Sequence, residues 1–122
     1  MVATVTTLKH ARAAERDGAD ALNVTGHEAA GHGGQVTSLV LVPTIADAVS
    51  IPVIAAGGFA DGRGLAAAMA LGADGVAMGT RLMNTVESPV HQDAKSVSVE
   101  RSIADNKRFD VDAIRERLLE RL

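Results

Sequence analysis

The sequence predicts an α/β fold in which short parallel strands alternate with helices. Runs of β-branched and apolar residues alternate along the chain with alanine-rich segments of helical character. Residues 13–20 resemble residues 67–74, which lie 54 positions further on, and each copy has the pattern of a helix end, a glycine and a strand start. A repeated β-α order of this kind requires parallel strands joined by right-handed crossovers. Residues 51–56 are apolar throughout, which is typical of a parallel strand covered on both faces.

The length of the chain limits how much of such a fold it can form. With 122 residues, the chain is predicted to form one domain. Hydrophobic residues make up 47% of the sequence, which is enough for a real core. A closed barrel of eight βα units needs about 250 residues, so the chain can hold about half of one.

Composition and charge exclude several classes of function. The chain has 12 basic and 15 acidic residues and a formal charge of −3, whereas nucleic-acid binding requires a basic face. No apolar run approaches the roughly 18 residues of a membrane span, and the first residues lack the basic start of a signal peptide. Cysteine is absent, which excludes disulfides and cysteine-ligated zinc and fits a reducing, cytoplasmic location. We therefore expect a cytoplasmic protein that binds neither nucleic acid nor a membrane.

The first half of the chain predicts two strands and two helices. The first strand, helix and strand are expected at residues 2–7, 8–17 and 21–25. A loop rich in glycine and histidine follows at residues 26–34. Apolar residues then recur at helical spacing over residues 42–49, and Pro43 is predicted to lie in the first turn of this helix.

The second half predicts two more strands and the helices that follow them. Asp61 is a suitable N-cap for a third helix, and Gly72 is expected to end it. Ser88 and Pro89 together predict the start of a further helix that runs to about residue 97. The strands are expected at residues 51–56 and 76–78.

Two glycine-containing turns are candidates for binding an anion. Gly57-Gly58 follows one predicted strand, and Gly79-Thr80 follows the next. Glycine lets a backbone approach a ligand closely with its N–H groups directed at an anion, and a following helix N-terminus adds positive potential. In barrels, the loops after the last two strands often hold a phosphate. The alternative is that these glycines only allow tight turns between a strand and a helix.

The loop at residues 26–34 (GHEAAGHGG) places two histidines and a carboxylate near the end of a strand. A histidine titrates near neutral pH and is suited to take a proton from a carbon acid. His27, Glu28 and His32 are also possible metal ligands, but their spacing matches no strong metal motif, so no metal site is predicted. The remaining alternative is a surface loop whose histidines have no chemical role.

Three motifs, in this order along the chain, resemble those of the nitronate monooxygenase family, formerly called 2-nitropropane dioxygenase. They are residues 26–34 (GHEAAGHGG), 51–64 (IPVIAAGGFADGRG) and 78–81 (MGTR). The flavin-dependent enoyl-acyl-carrier-protein reductases are close relatives of that family. The resemblance implies a (β/α)₈ TIM barrel, of which this chain would be the C-terminal half, with about four βα units and a parallel sheet. Its domains would be a half-barrel that binds the FMN phosphate over residues 1–98 and a helical tail over residues 99–122.

The resemblance also implies an FMN-dependent oxidoreductase that uses O₂ to oxidise alkyl nitronates, a class of small molecule, to carbonyl compounds. His32 would be the catalytic base, and Ala30 and Gly31 would approach the flavin through their backbones. The FMN phosphate would be held by Gly57, Gly58, Gly79 and Thr80. Two alternatives are an NAD(P)H-dependent flavin enoyl reductase of the same family and a half-barrel that binds phosphate or flavin without catalysis. Because an open half-barrel exposes two sheet edges, pairing with a missing N-terminal half or with another copy of the chain is expected.

Overall fold

The structure, a computed structural model, describes residues 1–31 and 33–100 and contains a four-stranded parallel sheet. The strands are β1 (Val2–Val5), β2 (Ala21–Thr25), β3 (Val53–Ala56) and β4 (Gly75–Ala77). The helices are α1 (Leu8–Arg16), α2 (Ser38–Ala46), α3 (Gly62–Ala70), α4 (Thr80–Met83) and α5 (Gln92–Glu100). The strands lie in the order β1-β2-β3-β4, and every neighbouring pair is parallel. The predicted α/β fold with four βα units is confirmed.

The chain divides into two compact units. The first, Met1–Met78, contains the whole sheet and α1, α2 and α3. The second begins at Gly79, and its described part contains α4 and α5. No helix among the described residues is long and apolar enough to cross a membrane.

The core of the first unit lies on one face of the sheet. Leu22 and Val24 of β2 and Val53 of β3 are at most 2% exposed. Val42 and Ile45 of α2 are fully buried in the same cluster. Burial of each such side chain contributes about 1.5–3 kcal/mol relative to its exposed state, so packing on this face stabilises the unit.

The other face of the sheet is more open. In the register of the strands, Thr4 pairs with Asn23 and Asn23 with Ile54, so these three side chains share that face. Asn23 and Ile54 are half-buried, and Val2 on the same face is 58% exposed. Of the run predicted as a strand at residues 51–56, only Val53–Ala56 forms one, and it is buried mainly on its helix-covered face. An unbroken apolar run does not distinguish this arrangement from a strand buried equally on both faces.

The sequence repeat corresponds to a repeated structure. Gly18 and Gly72 follow α1 and α3 with φ angles of +90° and +92°. Both glycine N–H groups donate to the carbonyl three positions back at 3.0 Å. The following residues, Ala19 and Ala73, donate to the carbonyl five positions back at 2.9 and 3.0 Å. Both copies thus end the helix with the same left-handed glycine turn, as the sequence predicted.

The two repeat glycines differ in their surroundings, which allows a matched comparison. A Cβ on Gly18 would meet no atom within 4 Å, whereas a Cβ on Gly72 would lie 3.0 Å from the Cβ of Ala46. We expect Gly18→Ala to lower the free energy of unfolding by about 1 kcal/mol through backbone strain alone. Gly72→Ala should cost about 1 kcal/mol more, because its methyl also crowds Ala46. Urea unfolding followed by circular dichroism tests this, and equal losses in the two variants would contradict it.

The start of α2 differs from the prediction. The helix begins at Ser38, so Pro43 lies inside it and not in its first turn. The carboxylate of Glu28 accepts the Ser38 N–H and thereby fixes the chain in a helical start before the apolar stretch begins. Pro43 has no N–H to donate to the carbonyl of Leu39, but Leu39 is 68% exposed and water can replace that hydrogen bond.

The segment before α5 also differs from the prediction. The helix begins at Gln92 and not directly after Ser88 and Pro89, and the short helix α4 was not predicted as a separate element. The Lys95 ammonium donates to the carbonyls of Thr85 and Ser88 at 2.7 and 2.9 Å, which holds this segment in a non-helical path. Apart from its first two residues, the predicted tail at 99–122 lies outside the described residues, as does its apolar stripe at 114, 118 and 122.

Candidate functional site

Loops that follow β1, β2 and β3 meet at the carboxyl edge of the sheet. Because all the strands are parallel, their carboxyl ends lie at the same edge. The loops approach so closely that a Cβ on Gly34 would lie 2.9 Å from the Thr6 carbonyl oxygen. A Cβ on Gly57 would lie 3.0 Å from the Ala29 backbone nitrogen. Glycine at these two positions therefore allows the three loops to pack as one surface.

A carboxylate and a serine join the β2–α2 loop to the start of α2. Glu28 Oε2 accepts hydrogen bonds from the Ser38 N–H and the Ser38 hydroxyl, both at 2.9 Å. Ser38 is only 4% exposed. Its hydroxyl also lies 2.9 Å from the Gly57 carbonyl oxygen and 3.3 Å from that of Ala56, at the end of β3. Ser38 thus contacts both the loop after β2 and the turn after β3.

Gly26 gives the Glu28–Ser38 contact the room it needs. A Cβ on Gly26 would lie 2.1 Å from Ser38 Oγ, 2.6 Å from Ser38 N and 2.7 Å from Glu28 Oε2. Gly26 does not have a left-handed φ angle, so the requirement for glycine here is entirely one of space. Sequence reasoning did not single out Ser38, because a serine ahead of an apolar helix has the pattern of an ordinary cap.

The Gly57-Gly58 turn has the backbone shape of an anion site. Its φ angles are +105° and +80°, which only glycine adopts without strain. Gly58 is exposed, and within the described part of the chain its N–H has no hydrogen-bond acceptor. A Cβ on Gly58 would lie 3.5 Å from the Glu28 side chain, in ordinary contact. The turn therefore offers a backbone donor of the kind that binds a phosphate or another anion.

The N-terminus of α3, by contrast, is already occupied. The Asp61 carboxylate accepts the N–H groups of Arg63 at 2.9 Å and Gly64 at 3.1 Å, which confirms Asp61 as the predicted N-cap. The Arg63 guanidinium donates to the same carboxylate and, together with the Gly64 N–H, lowers the pKa of Asp61. The cap therefore stays ionised at neutral pH. The positive potential that the sequence suggested at this helix end is thus already neutralised by the chain's own carboxylate.

The other candidate residues of this loop that the structure describes are exposed. His27 is exposed, and its Nδ1 lies 3.3 Å from the Gly34 carbonyl oxygen. In residues 1–31 and 33–100, no group of three histidine, cysteine, aspartate or glutamate side chains could hold a metal ion. Ala30 and Gly31 are exposed, and Gly31 has a φ of +80°.

The nitronate monooxygenase family model matches residues 1–113, which is most of the chain. The chain belongs to the nitronate monooxygenase family. Members of this family are flavin-dependent oxidoreductases, and the solved neighbours of this chain are TIM-barrel enzymes. The four parallel βα units of this nitronate monooxygenase family member therefore correspond to half of a (β/α)₈ barrel.

Individual relatives are similar to this chain over most of its length, but the similarity covers only part of their own length. A curated protein of Rhodococcus jostii, named (3aS,4S,5R,7aS)-5-hydroxy-7a-methyl-1-oxo-octahydro-1H-indene-4-carboxyl-CoA dehydrogenase, is 50% identical over 86% of this chain and 30% of its own length. FabK from Thermotoga maritima is 53% identical with a TM-score of 0.82, over 85% of this chain and 33% of its own. A nitroalkane oxidase from Streptomyces ansochromogenes is 38% identical with a TM-score of 0.72, over 78% of this chain and 31% of its own. The chain thus spans about a third of the length of these relatives.

The site residues expected for a nitronate monooxygenase family member fall in different parts of the chain. His32, the expected base, lies outside the described residues, whereas its neighbours Gly31 and Gly33 are described. Gly79 and Thr80 open the second unit, where Gly79 precedes the four-residue helix α4 and a Cβ on it would meet nothing within 4 Å. Their role in holding a phosphate stays a prediction. Of the expected phosphate residues, Gly57 and Gly58 have the geometry that supports the role most directly.

Proposed function

We propose that this chain supplies the FMN-phosphate turn and the catalytic base of an oxidoreductase that uses O₂ to oxidise alkyl nitronates to carbonyl compounds. The observation that carries the proposal is the Gly57-Gly58 turn. Its two left-handed glycines end a parallel strand, and the Gly58 N–H is left free for an anion among the described residues. In a barrel, a backbone turn at this place is a suitable partner for the phosphate of FMN.

The chain's own residues would divide the work between two neighbouring loops. The β3–α3 turn would bind the phosphate and thereby orient the cofactor, while Ala30 and Gly31 would approach the flavin through their backbones. His32 would take the α-proton of a neutral nitroalkane and so form the nitronate that is then oxidised, because an imidazole is a suitable base for a carbon acid. FMN, when bound, supplies the two-electron oxidation chemistry. Gly79 and Thr80 are further proposed phosphate contacts on the basis of the family resemblance.

The sheet that the described residues form is open, so the proposed enzyme needs further strands to close a barrel. The described residues form four parallel strands where a closed barrel has eight, so within residues 1–31 and 33–100 β1 and β4 each have an unpaired edge. We propose that a second half, either separate or another copy of this chain, pairs with these edges. The predicted division into a half-barrel at residues 1–98 and a tail at 99–122 and the predicted cytoplasmic location also remain proposals.

An FMN titration of the purified chain tests the phosphate turn. We expect flavin fluorescence anisotropy to rise with an apparent Kd in the micromolar range, and we expect inorganic phosphate to weaken the binding. Riboflavin has no phosphate and is the matched control ligand, so its affinity should be at least tenfold lower. Equal affinities for FMN and riboflavin would contradict the proposed role of Gly57 and Gly58. Size-exclusion chromatography of the same sample reports whether binding requires self-association.

Reduction or oxidation of an acyl thioester is the second candidate function. It is favoured by the similarity to FabK, an enoyl-acyl-carrier-protein reductase at 53% identity, and to a dehydrogenase whose name specifies a CoA ester, at 50%. An NAD(P)H-dependent enoyl reductase would consume NAD(P)H with an enoyl thioester and no nitronate, whereas a nitronate monooxygenase would consume O₂ with a nitronate and no NAD(P)H. A half-barrel that only binds flavin would show neither reaction.

A further inference from the structure

The Ser38 hydroxyl carries one proton but lies within hydrogen-bond distance of three acceptors. They are Glu28 Oε2 at 2.9 Å, the Gly57 carbonyl at 2.9 Å and the Ala56 carbonyl at 3.3 Å. A hydroxyl can donate to only one well-placed acceptor at a time. Since Glu28 also receives the Ser38 backbone N–H, the carboxylate retains a donor when the hydroxyl turns to the Gly57 carbonyl.

The residues on either side of this hydroxyl belong to the two loops that carry the proposed chemistry. Glu28 lies in the same loop as His32, and Gly57 begins the proposed phosphate turn. The contact is tight on both sides: a Cβ on Gly57 would lie 3.1 Å from Ser38 Oγ, and a Cβ on Gly58 would lie 3.5 Å from the Glu28 side chain. Ser38 is buried, so water does not readily replace its hydrogen bonds.

We propose that Glu28 and Ser38 are positioning residues that hold the His32-bearing loop and the Gly57-Gly58 turn in one fixed arrangement. The inference rests on the proposed function, since it assigns the pair to the same cofactor-binding turn. Neither residue needs to touch the cofactor: Ser38 acts by holding the Gly57 carbonyl, which keeps the following N–H directed outward. Glu28 acts by holding Ser38, because its carboxylate accepts hydrogen bonds from the Ser38 backbone N–H and the Ser38 hydroxyl.

Ser38→Ala tests the positioning role of Glu28 and Ser38 by its different effects on the affinities for FMN and for riboflavin. Loss of the hydroxyl leaves the Gly57 carbonyl without its donor and frees the phosphate turn, so FMN affinity should fall about tenfold, the equivalent of one hydrogen bond. Riboflavin affinity should be unchanged, because riboflavin does not use the phosphate turn. A role limited to general stability would lower both affinities together, so the FMN-to-riboflavin ratio is the deciding measurement. Ser96→Ala is the matched control, since the Ser96 hydroxyl donates within α5, to the Gln92 carbonyl.

Glu28 substitutions provide a second test that does not depend on removing a buried side chain. Glu28 is exposed, so Glu28→Ala is expected to fold. Glu28→Ala should lower the ratio of FMN affinity to riboflavin affinity, as we expect for Ser38→Ala. Glu28→Gln should restore the ratio, because the amide oxygen can still accept the Ser38 N–H and the amide nitrogen can donate to the hydroxyl. A ratio that stays at the wild-type value in both Ser38→Ala and Glu28→Ala would overturn the inference.

An NMR measurement tests the pair without any flavin. The backbone amide signals of Gly57, Gly58 and Ala29, whose nitrogen lies 3.0 Å from the position of a Cβ on Gly57, should all shift in Ser38→Ala, whereas Ser96→Ala should move none of them. If wild-type protein shows no preference for FMN over riboflavin, the proposed function fails, and these signals alone decide the positioning role. Unshifted amide signals of Gly57, Gly58 and Ala29 in Ser38→Ala would overturn that role whatever the flavin result.

Discussion

Gly26→Ala is expected to lower the free energy of unfolding by about 3 kcal/mol, the largest stability loss we expect from a single methyl group in this chain. The added Cβ would lie 2.1 Å from Ser38 Oγ and 2.6 Å from Ser38 N, and the latter is backbone that cannot turn aside. To make room, the start of α2 must move away from β2, which breaks the hydrogen bonds between Ser38 and Glu28. The phosphate turn loses its support in the same step.

Urea unfolding followed by far-ultraviolet circular dichroism measures this loss, because the chain has no Trp or Tyr for fluorescence. Gly62→Ala is the matched control: Gly62 is the first residue of α3, and a Cβ there would meet no atom within 4 Å. It should change the free energy of unfolding by less than about 0.5 kcal/mol. Similar losses of unfolding free energy in Gly26→Ala and Gly62→Ala would show that the close approach to Ser38 is not the reason for glycine at position 26.

The order of elements was predictable from the sequence because local patterns determine it. The repeat at 13–20 and 67–74 ends with the same glycine turn in both copies, and Asp61 caps α3 as its residue type suggested. The strand β2 coincides with its predicted bounds. Each of these features depends on residues close together in the chain, where side-chain preference and backbone shape decide the structure.

The start of α2 and the Glu28–Ser38 pair could not be predicted in the same way. They depend on a carboxylate ten positions earlier in the chain and on the carbonyl of Gly57, in the turn after β3. Pro43 suggested a later start, because the preference of proline for a first turn was the strongest local signal. The tertiary hydrogen bonds to Ser38 outweighed that preference.

Carboxylates of the chain itself occupy the starts of two neighbouring helices at this edge of the sheet. Glu28 accepts the N–H of Ser38 at the start of α2, and Asp61 accepts those of Arg63 and Gly64 at the start of α3. An anion bound in the first unit would therefore depend on the Gly57-Gly58 turn and not on these helix ends. For this reason the FMN-to-riboflavin comparison is more informative about the site than a general test of anion binding.

Substitution of His32 by alanine is expected to have the largest effect on activity. If His32 is the base, His32→Ala should lower turnover of a neutral nitroalkane by about 10³-fold, within the range that general base catalysis supplies. The affinity for FMN should change little, because the phosphate turn is formed by other residues. Oxygen consumption by the FMN-loaded protein, measured with the nitroalkane, checks the first expectation, and the FMN titration checks the second.

A comparison of two substrates separates a base from a residue that only binds. A preformed nitronate has already lost the proton that a base would remove, so His32→Ala should lower its turnover far less than that of the nitroalkane. His10→Ala is the matched control, because His10 is an exposed histidine on α1, and it should leave both rates unchanged. Equal losses with nitroalkane and nitronate would mean that His32 acts in binding and not as the base. Absence of turnover with either substrate in the wild-type chain would show that this chain by itself does not carry out the proposed reaction.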